Sequence, residues 1–152
     1  MNIKLEEKRL IYEDINAKLA FGKVTILDAD NNNTIVVDSI YWNKNINMNF
    51  QILCNGKWIK YDFQRYKLYL RPMLSMTDSE RTELLSKCFM TFDDAKNFNF
   101  DLEFKGVVIT DNKKTNFVGC DVILKLINYL DSHNFDVRGL LETDFAFPLR
   151  QE

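Results

Sequence analysis

The chain predicts an α+β fold: a single domain over residues 1–152, with an antiparallel sheet of four or five strands packed against three helices. Three observations predict it. LEEKRLIYEDINAKLAFG opens the chain with apolar residues at helical period. β-rich runs broken by asparagine turns fill residues 23–71, and helical periodicity returns after Thr77 and again after Cys120. No internal repeat or low-complexity linker divides the 152 residues, and a chain of that length buries a core without covalent staples.

In the first helix Leu5, Tyr12, Ile15 and Leu19 share a face with Ile11 beside them, and Gly22 stands where glycine ends helices. KVTILDADNNNTIVVDSIYW follows as two strand-like runs around an Asn cluster, and asparagine tolerates the left-handed turn conformation. FQILCNGKWIKYDF is a stronger hairpin signal, because Asn55-Gly56 suits the tight turn that matches strand twist. RYKLYL adds another strand to the meander.

YLRPMLSMTDSER, residues 69–81, marks the next junction. Pro72 has no N–H for a ladder and biases Arg71 toward an extended conformation, so the strand ends there. Thr77-Asp78-Ser79-Glu80 matches a capping box, and Leu84, Leu85, Cys88 and Phe89 then lie on one helical face. The pattern weakens from Phe92 to Thr115, where NFDLEFKGVVITDN reads as one strand or two short ones. CDVILKLINYLDSHNF is a clear helix, capped at Asp121, with Val122, Ile123, Leu126, Ile127 and Leu130 at helical spacing. A short turn or helix runs from Phe135 through RGLLE, and the tail FAFPLRQE reads as irregular.

Composition removes whole classes of function. A net charge of −2 supplies no global basic field for nucleic acid. Cys54, Cys88 and Cys120 are scattered and odd in number, which suits reduced thiols in the cytoplasm rather than a disulfide framework. The start lacks a signal-peptide apolar run, and no stretch approaches the length of a membrane helix. The expectation is a soluble cytoplasmic protein with no membrane partner.

Chemistry-bearing constellations are few. Asp28, Asp30 and Asn32 stand at the first three ligand positions of a calcium loop, but Asn33 replaces the required glycine and Ser39 the final glutamate. A solvated hairpin tip is the better reading, and no metal site is assigned. His133, the only histidine, lies between Asp131 and Asp136, which suggests a base with its orienter. The alternative places it in the last turn of a helix, where imidazole meets the negative end of the dipole. No nucleophile elbow, phosphate loop, zinc set or dinucleotide motif occurs. The expectation is a non-enzyme with no cofactor and no catalytic residue. KWIKYDFQRYKLYLR, residues 57–71, interleaves Lys57, Lys60, Arg65, Lys67 and Arg71 with Trp58, Tyr61, Tyr66 and Tyr69. On one face such residues hold phosphates, stack bases or meet an acidic protein groove. A half-buried sheet with rings inward and cations outward gives the same pattern.

Two segments carry a resemblance. YLRPMLSMTDSERTELL is similar to an LRPMSSMTEEE junction at Leu70, Arg71, Pro72, Met73, Ser75, Met76, Thr77 and Glu80. INYLDSHNFDVRGLLE is similar to a WLNAHHFDYRGLIEKGLA tail at Leu130, His133, Phe135, Asp136, Arg138, Gly139, Leu140 and Glu142. Together they resemble small proteins carried by phages, prophages and related mobile elements of Bacteroides-type bacteria. The chain departs where Asn134 replaces the second histidine and where the region from Phe92 to Phe117 is longer.

The resemblance carries over no catalytic residue. It implies a small interaction protein from a mobile element, a setting in which inhibitors of host defence, anti-CRISPR proteins among them, are well populated. The partner it implies is a large host protein or ribonucleoprotein effector, a Cas nuclease with its guide RNA. The residues assigned to partner binding are Trp58, Lys60, Tyr61, Arg65, Tyr66, Lys67 and Arg71, with Arg138 more distant. The alternative is a direct RNA- or DNA-binding or phage housekeeping protein.

Overall fold

The computed structural model describes residues 3–42, 49–88, 98–103, 106–111 and 120–149. Helix α1 spans Leu5–Leu19. Six strands follow: β1 (Val24–Asp28), β2 (Asn33–Val37), β3 (Ser39–Trp42), β4 (Phe50–Cys54), β5 (Lys57–Lys60) and β6 (Tyr66–Leu70). A 3₁₀ turn at Met73–Ser75 leads into α2 (Asp78–Cys88). The hairpin β7 (Phe98–Glu103) and β8 (Gly106–Asp111) comes next, then α3 (Cys120–Ser132), a 3₁₀ turn at Leu140–Glu142 and β9 (Ala146–Pro148).

The fold is α+β, with the strands divided between sheets. One has the order β2-β1-β6-β9 and another β3-β4-β5, while β7 and β8 pair with each other. Asp38 sits between β2 and β3, and its N–H donates to Leu53 O at 2.9 Å, so the chain passes from one sheet to the other without a loop. The two hairpin tips adopt the backbone their residues favour: Asn32 has φ 54, and Asn55 and Gly56 have φ 50 and 76.

The tail differs from the irregular segment expected. Ala146–Pro148 lies parallel to β6, pairing Leu68 with Ala146 and Leu70 with Pro148. Three residues ending in proline carry no readable period, and the free edge of β6 supplies the order that local sequence does not. NFDLEFKGVVITD resolves into two strands. The side chains of Leu85, Cys88, Phe89, Val122 and Ile123 lie outside the described residues. Helix α3 begins at Cys120, so Asp121, expected as its cap, lies inside the first turn.

The main core is built where α1 lies on the sheets. Ile11 and Ile15 are fully buried, and so are Ile26, Val37, Ile52 and Leu68. Leu5, expected on that face, is exposed, because the buried face runs instead through Asp14 and Lys18. The rings of Phe50, Tyr61, Phe63 and Tyr66 close one end, with Phe50 and Tyr61 stacked at 4.7 Å. A smaller cluster of Leu84, Leu126, Tyr129, Leu130 and Phe135 joins α2 to α3. Cys54 is a buried free thiol that burial raises above its usual range.

The capping box forms as its sequence dictates. Glu80 N–H donates to Thr77 Oγ1 at 3.1 Å, and Thr77 N–H donates to Glu80 Oε2 at 2.9 Å. Thr77→Ala removes one of these bonds and is expected to cost about 1 kcal/mol, read as a lower urea midpoint with unchanged slope.

Candidate interaction surface

The β3-β4-β5 sheet has one covered and one open face, fixed by its register. Ile40, Ile52 and Ile59 align across the three strands and turn inward. The neighbouring rows, Ser39-Leu53-Trp58 and Tyr41-Gln51-Lys60, therefore turn outward. Tyr41 and Trp58 are 55% and 48% exposed, with ring centroids 6.2 Å apart at 70°, an edge-to-face pair left in water. Lys60 stands beside them at the end of the edge strand and has no ion-pair partner among the described residues.

Past Lys60 the chain turns into the core and out again. Tyr61 N–H extends the pairing to Phe50 O at 3.0 Å, and Asp62 Oδ1 caps the turn by accepting from the N–H groups of Gln64 and Arg65. This turn and the start of α1 enclose a cleft of about 610 Å³, lined by Lys8, Asn49, Lys60, Arg65 and the edges of Tyr61 and Tyr66. Lys8 Nζ is 3.3 Å from Asn49 Oδ1 and 5.4 Å over the Phe63 ring. Arg65 is oriented from behind: its Nε and Nη2 donate to the two oxygens of Asp28 at 2.8 and 2.7 Å. That bidentate pair holds the Asp28 carboxyl down to about 2. Asp28 also accepts from the Asp30 backbone and the Asn31 side chain, so this carboxylate organises the hairpin tip and the cleft wall rather than a calcium loop.

The eight residues assigned from sequence thus separate. Trp58 and Lys60 share the open face; Lys60, Arg65 and the edges of Tyr61 and Tyr66 share the cleft. Tyr61 and Tyr66 are buried core rings, so they offer no stacking surface. Lys67 lies half-buried in β6 with its ammonium 5.6 Å over the Phe145 ring.

Arg71 and Arg138 move into the scaffold. Arg71 forks onto Glu80 at 2.7 and 2.9 Å and lies 4.2 Å over the Phe135 ring. Arg138 reaches between Asp14 and Asp131, at 2.9 and 3.0 Å, where Lys18 Nζ also meets both. Tyr41, Lys8 and Asn49 join the surface without having been singled out in the sequence. The only signal for Tyr41 was strand alternation in SIYW, and Lys8 arrives from a helix 41 residues from Asn49 in the chain.

The His133 constellation also separates. Asp131 turns into the buried cluster, and Asp136 accepts from the N–H groups of Leu140 and Leu141, so neither carboxylate orients the imidazole. His133 Nδ1 lies 2.9 Å from both Ser132 Oγ and Tyr129 O. Ser132 Oγ also donates to Tyr129 O at 2.7 Å, so the imidazole and this hydroxyl both sit on the last turn's carbonyl. Among the described residues no group of three His, Cys, Asp or Glu is placed to hold a metal. No helix of the described residues is long and apolar enough to cross a membrane.

Comparison with protein-family models, with curated proteins and with solved structures returns no match.

Proposed function

We propose that this chain is a non-enzymatic interaction protein of a phage or related mobile element, which docks on and inhibits a cytoplasmic host defence effector of the RNA-guided Cas nuclease class. One observation carries the docking: a Trp58–Tyr41 pair half in water on an open sheet face, with Lys60 in the adjoining row. Large rings that bring apolar area at little entropic cost, beside a cation, are the residues that dominate binding energy at interfaces. The resemblance at the LRPM and H–FD–RGL segments supports the setting and the class of partner. Asp131 and Asp136 being engaged elsewhere supports the non-enzymatic part of the reading.

The test is a titration of the purified chain into a reconstituted RNA-guided nuclease with labelled target DNA. Cleavage is expected to stop near equimolar chain. Trp58→Ala is expected to raise the half-inhibitory concentration roughly 30-fold, the equivalent of a hot-spot loss of about 2 kcal/mol. Its melting temperature should stay that of the parent, because the ring is exposed. One chain silencing many nucleases, or Trp58→Ala inhibiting as well as the parent, refutes the reading.

A further inference from the structure

We propose that the cleft between α1 and the β5–β6 turn, with the ring pair beside it, binds single-stranded nucleic acid: one backbone phosphate in the cleft, a neighbouring base against Trp58 and Tyr41. The inference deepens the docking reading, since Trp58 and Lys60 serve both, and it names the guide RNA as the part of the effector that this edge touches.

Charge and geometry select the phosphate. Lys8, Lys60 and Arg65 bring three positive charges to the lining. Asp62 is the one acid there, and its Oδ1 is occupied by the N–H groups of the turn. Asp28 and Asp30 both meet Arg65, at 2.7 and 3.6 Å, so its charge is compensated, and Lys60, without an ion-pair partner among the described residues, is the cation left for a phosphate. A phosphodiester carries one negative charge, so the match needs no second ion. Arg65 is also pre-oriented: Nε and Nη2 are fixed on Asp28, and among the described residues Nη1 has no partner. A guanidinium held by a carboxylate on one edge presents its other edge at little entropic cost.

Burial decides where the base goes. Tyr61, Phe63 and Tyr66 are 1%, 6% and 7% exposed, so no ring inside the cleft has a free face for stacking. The free rings lie outside. Trp58 is two residues from Lys60 on the same face of β5, about 7 Å along the strand. A phosphate at Lys60 therefore brings its neighbouring base to Trp58, with Tyr41 forming the second wall. An acidic peptide would use the cations and leave both rings idle, which favours a nucleotide strand. The overall charge of −2 does not oppose this, because binding follows the local field.

The test uses the isolated full chain and a short labelled single-stranded RNA of mixed sequence, followed by anisotropy across a salt series. Affinity is expected to fall with salt at a log–log slope of about −0.7, the value for one neutralised phosphate on a single strand. Lys60→Glu should weaken binding at least about tenfold and flatten the slope by about 0.7. Trp58→Ala should weaken it roughly tenfold with the slope unchanged, since stacking releases no counterions. Lys125→Glu makes the same change of charge on the exposed part of α3 and should leave affinity within about twofold. No salt-dependent binding overturns the proposal. So does Lys125→Glu being as damaging as Lys60→Glu, or an oligoglutamate peptide or RNA duplex binding as tightly as the single strand. Because no effector is present, failure here leaves the docking reading standing. A chain that binds RNA yet inhibits no nuclease loses the docking reading and keeps this one.

Discussion

Lys18→Met is expected to destabilise the protein more than any other single change considered, by about 4 kcal/mol, because it strips a buried anion pair of half its compensation. Lys18 and Asp14 are 1% and 0% exposed at the side chain, and Asp131 is 3%. Lys18 Nζ bridges the two carboxylates at 2.5 and 3.1 Å, and Arg138 bridges them from the other side. Burial pushes the Asp14 carboxyl up, while Lys18 and Arg138 pull it back. Asp14 Oδ2 has no hydrogen-bond partner among the described residues, so the cluster has no slack with which to lose a cation. For a chain of this size about 4 kcal/mol corresponds to roughly 8–16 °C in melting temperature. Adding Asp14→Leu removes the orphaned anion and leaves Arg138 paired with Asp131, so the double variant should recover most of the loss. A Lys18→Met protein that melts with the parent would mean the four groups do not share a dry interior.

Arg71→Lys is the second large effect, at roughly 3 kcal/mol, although it conserves charge. The guanidinium does three things at once that an ammonium cannot: it forks onto Glu80, approaches Ser75 O at 3.4 Å and sits 4.2 Å over the Phe135 ring. The backbone of the same residue joins in, with Arg71 N–H donating to Asn134 O at 2.7 Å and Asp136 N–H to Arg71 O at 2.9 Å. The loss also has a pH signature. Arg71 holds the Glu80 carboxyl down to about 2, against an ordinary value near 4.5. An acid lowered in the folded state contributes fully above its unfolded value and loses that contribution as the pH falls toward the folded one. Between pH 4.5 and 2 the parent should therefore lose stability faster than Glu80→Gln, as urea midpoints across that window would show. Parallel curves would remove the Arg71–Glu80 pair from the account.

What was legible in the sequence was local. Asn55-Gly56, Pro72 and the Thr77–Glu80 box each act through backbone chemistry within four residues, and each turn forms where the residues put it. What was not legible depends on residues far apart in the chain. Lys18 and Asp131 are separated by 113 positions, and nothing in LEEKRLIYEDINAKL shows that its buried face carries an ion pair. Trp58 and Tyr61 look alike in KWIKYDF, yet strand alternation and the turn at Asp62 send one ring to water and the other to the core. Arg71 and Arg138 read as surface anchors for the same reason. Their partners Glu80, Asp14 and Asp131 identify them as struts, which also places the two segments carrying the resemblance against each other, Arg71 on Phe135.

The most direct measurement of the central claim is capture of the tagged chain, parent and Trp58→Ala side by side, from cells with active CRISPR–Cas systems, split with and without RNase and read by mass spectrometry. A Cas nuclease is expected on the parent beads and lost from the Trp58→Ala beads, with RNase weakening the recovery through the guide-RNA contact. Beads empty of any defence nuclease in both arms, or recovery that ignores Trp58, would contradict the claim.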